Sequence, residues 1–421
     1  MNVAVVGGGL AGLVAARHLA AADHAVTVYE AREAVGGRVR SRTVEGYTLD
    51  RGFQVCFPAY PAVERELGDA IEWREFPAGA TLARPGERSV LADPLGDPRA
   101  AIPTVLNRDV TVRDKLRVLK LQWDCRGLGP DDWFSGPDRS IDAVLRNRDF
   151  SKDFRDRFAR PFFGGITLDR SLSTDAGVLR ATMAMLGSGR AAVPADGMGA
   201  IADHLAARAR RAGAAIATGR RVEEYDVKDG VSLTIGGDQF HADAAVIATD
   251  PPTARELTGL TSIPDGGRGC RTHYFAADRE IDLGGRLLCN AAGAVPNTVA
   301  PLSAVAPEYA PEGTTLVSAT VVGDDRSGSA DTEAATVRET LADWFPDRPI
   351  GAFDHLATDE IAFAQFRQPP GFRADMPGVE APDGPVDLAG ESTRWSSIQG
   401  ALASGRAAAR AVDKSVETGR D

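Results

Sequence analysis

Apolar residues along this chain change their spacing several times, and each change marks an element. Residues 2–6 (Asn-Val-Ala-Val-Val) make a short apolar run, the pattern of a strand buried on both faces. Gly7, Gly8, Gly9 and Gly12 break that run. An Ala/Leu-rich stretch to Ala22 follows, with no Pro or Gly after Leu13, and predicts a helix. A second apolar run over 25–29 ends in Glu30. Residues 47–55 predict a strand that stops at a glycine turn. The Pro-, Gly- and Arg-rich stretch 77–103 predicts irregular connection with short strands.

Helical spacing then takes over. Val112, Leu116, Leu119 and Trp123 repeat over 111–127, with Leu121 flanking. Phe150, Phe154 and Phe158 recur every four residues within a helical region over 138–187, with a stop expected at Arg160-Pro161. A helix is expected over 201–211, strands over 214–217 and 221–227, and a hairpin over 231–240 about Gly236-Gly237. The apolar run from Ala244 halts at Pro251-Pro252. Further strands are expected over 270–276, 286–290 and 315–322, a helix over 331–344, and a strand over 386–389 before a last helix that opens after Trp395.

The opening order of strand, glycine turn, helix, strand and acid carries chemistry as a unit. Gly7 permits the tight turn, Gly9 lets the backbone approach a pyrophosphate, and Gly12 lets the helix pack close to the sheet. Leu10 and Ala11 begin the helix, whose unpaired N–H groups and dipole favour phosphate. Glu30 stands about twenty residues beyond the glycines, where an acid accepts hydrogen bonds from a ribose diol. Together these point to a dinucleotide.

The residues after Glu30 narrow the choice. Ala31-Arg32 and Gly36-Gly37-Arg38 follow it, and the chain here resembles the flavin amine-oxidase superfamily: amine oxidases, protoporphyrinogen oxidases and carotenoid desaturases. The resemblance implies FAD. Ala31, Arg32, Gly37 and Arg38 would lie at the ribose and pyrophosphate, and Gly52, Phe53 and Gln54 along the isoalloxazine ring. Residues 194–199 resemble the run that precedes a helix in these enzymes, and Val222 would meet the adenine. Ala248 and Thr249 resemble the strand end that passes the cofactor. Gly390-Glu391, with Ser397, Ile398 and Gln399 opening the last helix, resembles the final flavin motif, with spacing similar to plant-type phytoene desaturases. Covalent flavin in amine oxidases is held by a cysteine shortly before that motif, and residues 371–390 contain none, so non-covalent FAD is expected.

The implied fold is α/β: a Rossmann-like FAD domain from discontinuous segments 1–76, 190–254 and 376–421, with an inserted α+β substrate domain from 77–189 and 255–375, a helical cap plus sheet. No second glycine motif signals a separate NAD domain.

Composition and charge change the picture in several places. A net charge of −11 argues against nucleic acid as a partner. No run reaches the ~18 apolar residues of a transmembrane helix. The glycine motif begins at once, leaving no room for a secretory signal, so a cytoplasmic protein is expected. Cys56, Cys125, Cys270 and Cys289 form no CxxC and read as buried thiols. Arg108, Arg113, Lys115, Arg117, Lys120 and Arg126 crowd the region of the helix predicted over 111–127 in this acidic chain. Such a helix is either a peripheral membrane element or a solvated face over a core stripe.

The expected activity is FAD-dependent hydride removal from a C–H bond of a lipophilic small molecule, by a desaturase-like or related dehydrogenase. Electrons would pass to oxygen, a quinone or another carrier. Alternatives are an amine oxidase, a protoporphyrinogen-type oxidase, or a non-catalytic flavin-binding protein. No lysine occurs between Asp229 and Asp413, where many amine oxidases place one near the flavin. His273 and Tyr274 could face the flavin from a strand, or be core residues. No catalytic acid or base is assigned, and no metal is expected.

Overall fold

Three stretches far apart in sequence build one five-stranded parallel sheet. Its order is Val386–Leu388, Ala244–Ile247, Asn2–Val6, Ala25–Tyr29, Ala215–Ala217. The computed structural model describes residues 1–92, 107, 109–323 and 328–418. Part of the expected irregular connection over 77–103, and Arg108, lie outside those residues.

Alternation along the strands explains why both faces are apolar. Val3, Val5, Val26, Val28 and Val246 pack on one side, against Ala15, Leu19, Ala408 and Val412 of two helices, Leu10–Ala21 and Ile398–Thr418. Ala4, Val6, Ala245, Ile247 and Leu388 pack on the other, against Val231 and Leu233 of a three-stranded antiparallel sheet. The two helices meet backbone to backbone: a methyl added at Gly405 would come within 2.2 Å of the Ala11 carbonyl oxygen.

A second, seven-stranded sheet runs Asp354–Phe366, Gly267–Ala277, Thr315–Val322, Thr298–Ala300, Leu287–Asn290, Ala80–Arg84, Glu87–Leu91. One face is covered by the helix Ala330–Trp344, through Val337, Leu341 and Trp344. The strands at Gly267–Ala277, Leu287–Asn290 and Thr315–Val322 lie where periodicity expects them. The thirteen-residue strand Asp354–Phe366 does not declare itself. His355, Thr358, Asp359 and Glu360 interrupt its apolar pattern, yet Asp359 is buried, where it accepts from Arg42 and the Gly52 amide.

Three other expectations change. The strand expected over 47–55 ends at Asp50, because Gly52 turns the chain with φ +73°. The strand expected from 221 begins at Glu224. The helix expected to stop at Pro161 continues as Arg160–Thr167. It does so through a π turn at Arg155–Ala159, with the Arg160 amide bonded to the Arg155 carbonyl. A π turn already shifts the hydrogen-bond ladder where proline cannot donate.

The helix Val112–Cys125 forms where expected, and a buried carboxylate sets which face turns inward. Its capping pair is Thr111 with Asp114, and the buried Asp114 also accepts from the Ser151 amide and hydroxyl. Satisfying that carboxylate turns Asp114, Leu121 and Cys125 inward. Of the two readings of its apolar stripe, the core stripe is excluded: Val112 is 68%, Leu116 62% and Trp123 72% exposed.

Candidate active site

The two sheets and the helices between them enclose a cavity of about 1350 Å³. One end is built by the glycine turn. Gly7 holds φ +108°, and a side chain there would strike the Ala248 carbonyl at 2.8 Å. A methyl on Gly12 would sit 2.0 Å from the Gly7 carbonyl oxygen. Gly12 therefore serves helix-to-turn contact, and it does not line the cavity. Gly9 is different: a side chain there meets nothing within 4 Å. It is also the N-cap of Leu10–Ala21, with no side chain bonded to the helix amides. Those amides remain for a ligand.

The carboxylate of Glu30 lies beside them, accepting from the Gly8 amide at 2.8 Å and the Arg32 amide at 2.9 Å. Arg38 reaches across to Glu391 at 2.5 Å and donates to the Ala364 carbonyl at 2.9 Å. Ser396 holds the other Glu391 oxygen at 2.6 Å. Ser397 caps the last helix by accepting from the Gly400 amide at 2.8 Å. Gly390 sits at φ +145°, its amide bonded to Ser404. Of the residues singled out in sequence, Gly7, Gly9, Leu10, Ala11, Glu30, Ala31, Arg32, Gly37, Arg38, Gly52, Phe53, Gln54, Val222, Ala248, Thr249, Gly390, Glu391, Ser397 and Ile398 line this one cavity.

Gln399 does not. It is buried, and its side-chain carbonyl accepts from the Ala62 amide, fixing the neighbouring helix Pro61–Leu67. Gln54 lines the wall, but its amide donates to the Arg38 and Arg51 carbonyls, so its side chain shapes the loop. His273 and Tyr274 are both fully buried and away from the cavity. Neighbours on a strand point to opposite faces. His273 is bonded to Thr358 and Glu333, each at 2.8 Å, and burial lowers its pKa. The Tyr274 hydroxyl donates to the Asp50 carbonyl. Arg271 pairs with Glu333 at 3.3 Å and Glu360 at 3.4 Å, on the far side of the sheet.

Asp50 closes a polar knot beneath the Gly52 turn. It accepts from Ser41, the Met198 amide and Tyr309. Burial nevertheless raises its pKa to about 6. All four cysteines are buried thiols, as expected.

The other end of the cavity is apolar. Phe154, Phe158, Phe162 and Phe163 line it with Met183 and Leu186. Phe158 stacks on Phe162 with ring centroids 5.0 Å apart, and Phe150 on Phe154 at 4.4 Å. Each such pair contributes about 0.5–1.5 kcal/mol beyond its burial. Between the two ends, Tyr60 and Trp395 form an aromatic wall, 6.5 Å apart. Sequence reasoning did not single out these two. The four-residue Phe spacing was the available signal for the apolar end.

A sequence profile described as flavin containing amine oxidoreductase matches residues 10–413. The chain belongs to that family. Its fold is mixed α/β, with a parallel sheet beside a large mixed one. Among curated relatives, a 4,4'-diapophytoene desaturase of Staphylococcus haemolyticus is 43% identical over 74 residues, covering 17% of this chain and 15% of its own. A putrescine oxidase of Kocuria rosea is 54% identical over 57 residues, 14% of this chain and 12% of its own. The chain thus spans about a sixth or less of these relatives' length. In the solved structures, an oxidoreductase from Methanosarcina mazei superposes with TM-score 0.77 over 97% of this chain and 99% of its own, at 18% identity.

The glycine end fits a flavin nucleotide on its own geometry. It offers open space at Gly9, unbonded helix amides and an acid already placed by backbone amides.

Among the described residues no helix is long and apolar enough to cross a membrane, and no cluster could hold a metal ion.

Proposed function

We propose that the protein is an FAD-dependent oxidoreductase that removes hydride from a C–H bond of a lipophilic small molecule, with FAD bound non-covalently. The observation that carries this reading is the chemistry of the cavity wall. Its only carboxylates among the described residues are Glu30, Asp250 and Glu391, all at the glycine-turn end. The Phe-lined end offers none to a cationic substrate, and a desolvated ammonium without a counter-charge is costly. An apolar donor is favoured there.

Bound FAD would supply the hydride acceptor and the route of electrons to oxygen, a quinone or another carrier. The chain's own residues hold and exclude. Gly9 and the amides after it receive the pyrophosphate, Glu30 the ribose diol, and Arg38 the phosphate charge, shared with Glu391. The N-terminus of Ile398–Thr418 faces the cavity at Ser397 and Ile398, where its dipole favours negative charge. Phe158, Phe162, Tyr60 and Trp395 exclude water and orient an extended apolar substrate. No side chain on the apolar wall is a general base, in keeping with hydride transfer from carbon.

A second reading, an amine oxidase, is favoured by the likeness to putrescine oxidase. An anaerobic screen separates them. Polyenes or related apolar donors should bleach the flavin, while benzylamine and spermidine leave it oxidised. Fast bleaching by either amine would restore the second reading. Acid precipitation should leave the yellow chromophore in solution; colour kept in the pellet would refute non-covalent binding.

A further inference from the structure

We propose that the outer face of the helix Val112–Cys125 docks on an anionic phospholipid membrane. Six large hydrophobic residues are exposed among the described residues: Met1, Val112, Leu116, Trp123, Ile166 and Val227. Three of them share one stripe of this helix, at four- and seven-residue steps, with the half-buried Leu119 between. Chance exposure scatters such residues singly. Here Val112, Leu116, Trp123 and Ile166, four of the six, also line the cavity. The exposed apolar surface is therefore the outward continuation of the cavity wall.

Charge points to the partner. Helical geometry puts the exposed Arg113 and Lys120 along one edge of the stripe. Lys115 lies along the other edge, with its ammonium on the Asn107 carbonyl. Just past the helix, the guanidinium of Arg126 stands 5.8 Å from the Trp123 ring centroid. Both carboxylates of the helix are already partnered. Asp114 is buried on the opposite face, and Asp124 pairs with Arg148 at 2.6 Å. In a chain of net charge −11, this is an apolar ridge flanked by cations. Leu and Trp side chains on such a ridge enter the headgroup boundary while the cations meet lipid phosphates. A second copy docked symmetrically through this face would set the same cations against one another. One consequence, which rests on the lipophilic substrate proposed above, is that the cavity opens toward the bilayer.

The test uses flavin-loaded protein and phosphatidylcholine vesicles with or without phosphatidylglycerol. Co-sedimentation is expected only with phosphatidylglycerol present, and it should fall as salt rises. Leu116→Ser/Trp123→Ser should abolish binding without loss of flavin absorbance. Arg113→Gln/Lys120→Gln should weaken it roughly 10- to 30-fold, from about fivefold per cation. Absence of wild-type binding at low salt would overturn the proposal, as would equal binding by the serine variant. Concentration-dependent dimers lost in the serine variant, without vesicle binding, would overturn it in favour of a second copy. Because no substrate is present, failure here leaves the flavin reading intact, and failure of the flavin screen leaves vesicle binding to be judged alone.

Discussion

The two ends of the cavity are built on opposite principles. At the glycine-turn end, backbone groups do the work: the Gly8 and Arg32 amides hold Glu30, and open space at Gly9 faces the helix amides. At the far end, side chains do it, through a ladder of phenylalanines on a helix widened by a π turn. Backbone recognition demands particular residues at particular spacings, because only glycine vacates the required space. Apolar recognition demands volume and shape, which many sequences supply. The first end therefore suits a cofactor common to a family, and the second suits a substrate that differs between members.

The sharpest way to break this contrast is Gly9→Val. Its side chain has room in the folded chain, so circular dichroism should stay native while FAD loading is abolished. Normal flavin content would show that the turn does not hold the cofactor. The complementary change is Phe158→Asp, which puts a carboxylate into the apolar end. Flavin content should be unchanged, and anaerobic reduction by apolar donors should be lost or fall more than about a hundredfold, the cost of burying an unpaired charge. Loss of flavin in that variant would mean the two ends are not independent.

Smaller effects sharpen the picture. Glu30→Ala should weaken FAD binding by about 1.5–3 kcal/mol, or roughly 10- to 160-fold in Kd by titration, since it removes one charge-assisted contact. The last concerns the polar knot between the sheets. Burial raises the Asp50 pKa from 3.8 to about 6, so the folded state holds its proton more tightly than the unfolded state. Stability from this group is fully present below about pH 4 and lost as pH rises through about 6. Relative to Asp50→Asn, the wild-type unfolding free energy should drop by roughly 2–3 kcal/mol across that window in urea titrations. A constant difference between the two proteins would refute it.

The glycine-turn half was legible because its signals are local. A glycine at φ +108°, a helix opening without a side-chain cap, and an acid closing the second strand are each readable within a few residues. They predict the same segments in sequence and in space. Gln399 shows the limit of this legibility. It stands within the last motif, but helical geometry turns it to Ala62 while Ile398 and Ser397 line the cavity. Position in a motif does not state which way a side chain points.

The substrate half depended on contacts between distant segments. Periodicity located the helix Val112–Cys125 but left open whether its apolar stripe faced the core. The orientation was decided by Ser151, 37 residues away from Asp114, whose hydroxyl and amide required that carboxylate inside. The strand Asp354–Phe366 was concealed because Asp359 looks like a surface residue until Arg42 and Gly52 are brought against it. His273 became a core residue only when Glu333 and Thr358 met it from another helix and strand. By itself, then, the sequence determined the parallel sheet, the glycine turn and the candidate flavin end, because glycine conformations and apolar periods act over a few residues. The tertiary structure alone decided which polar groups could be buried. Burial depends on partners that the chain supplies from distant segments, and those partners set the face each helix and strand turns to the cavity.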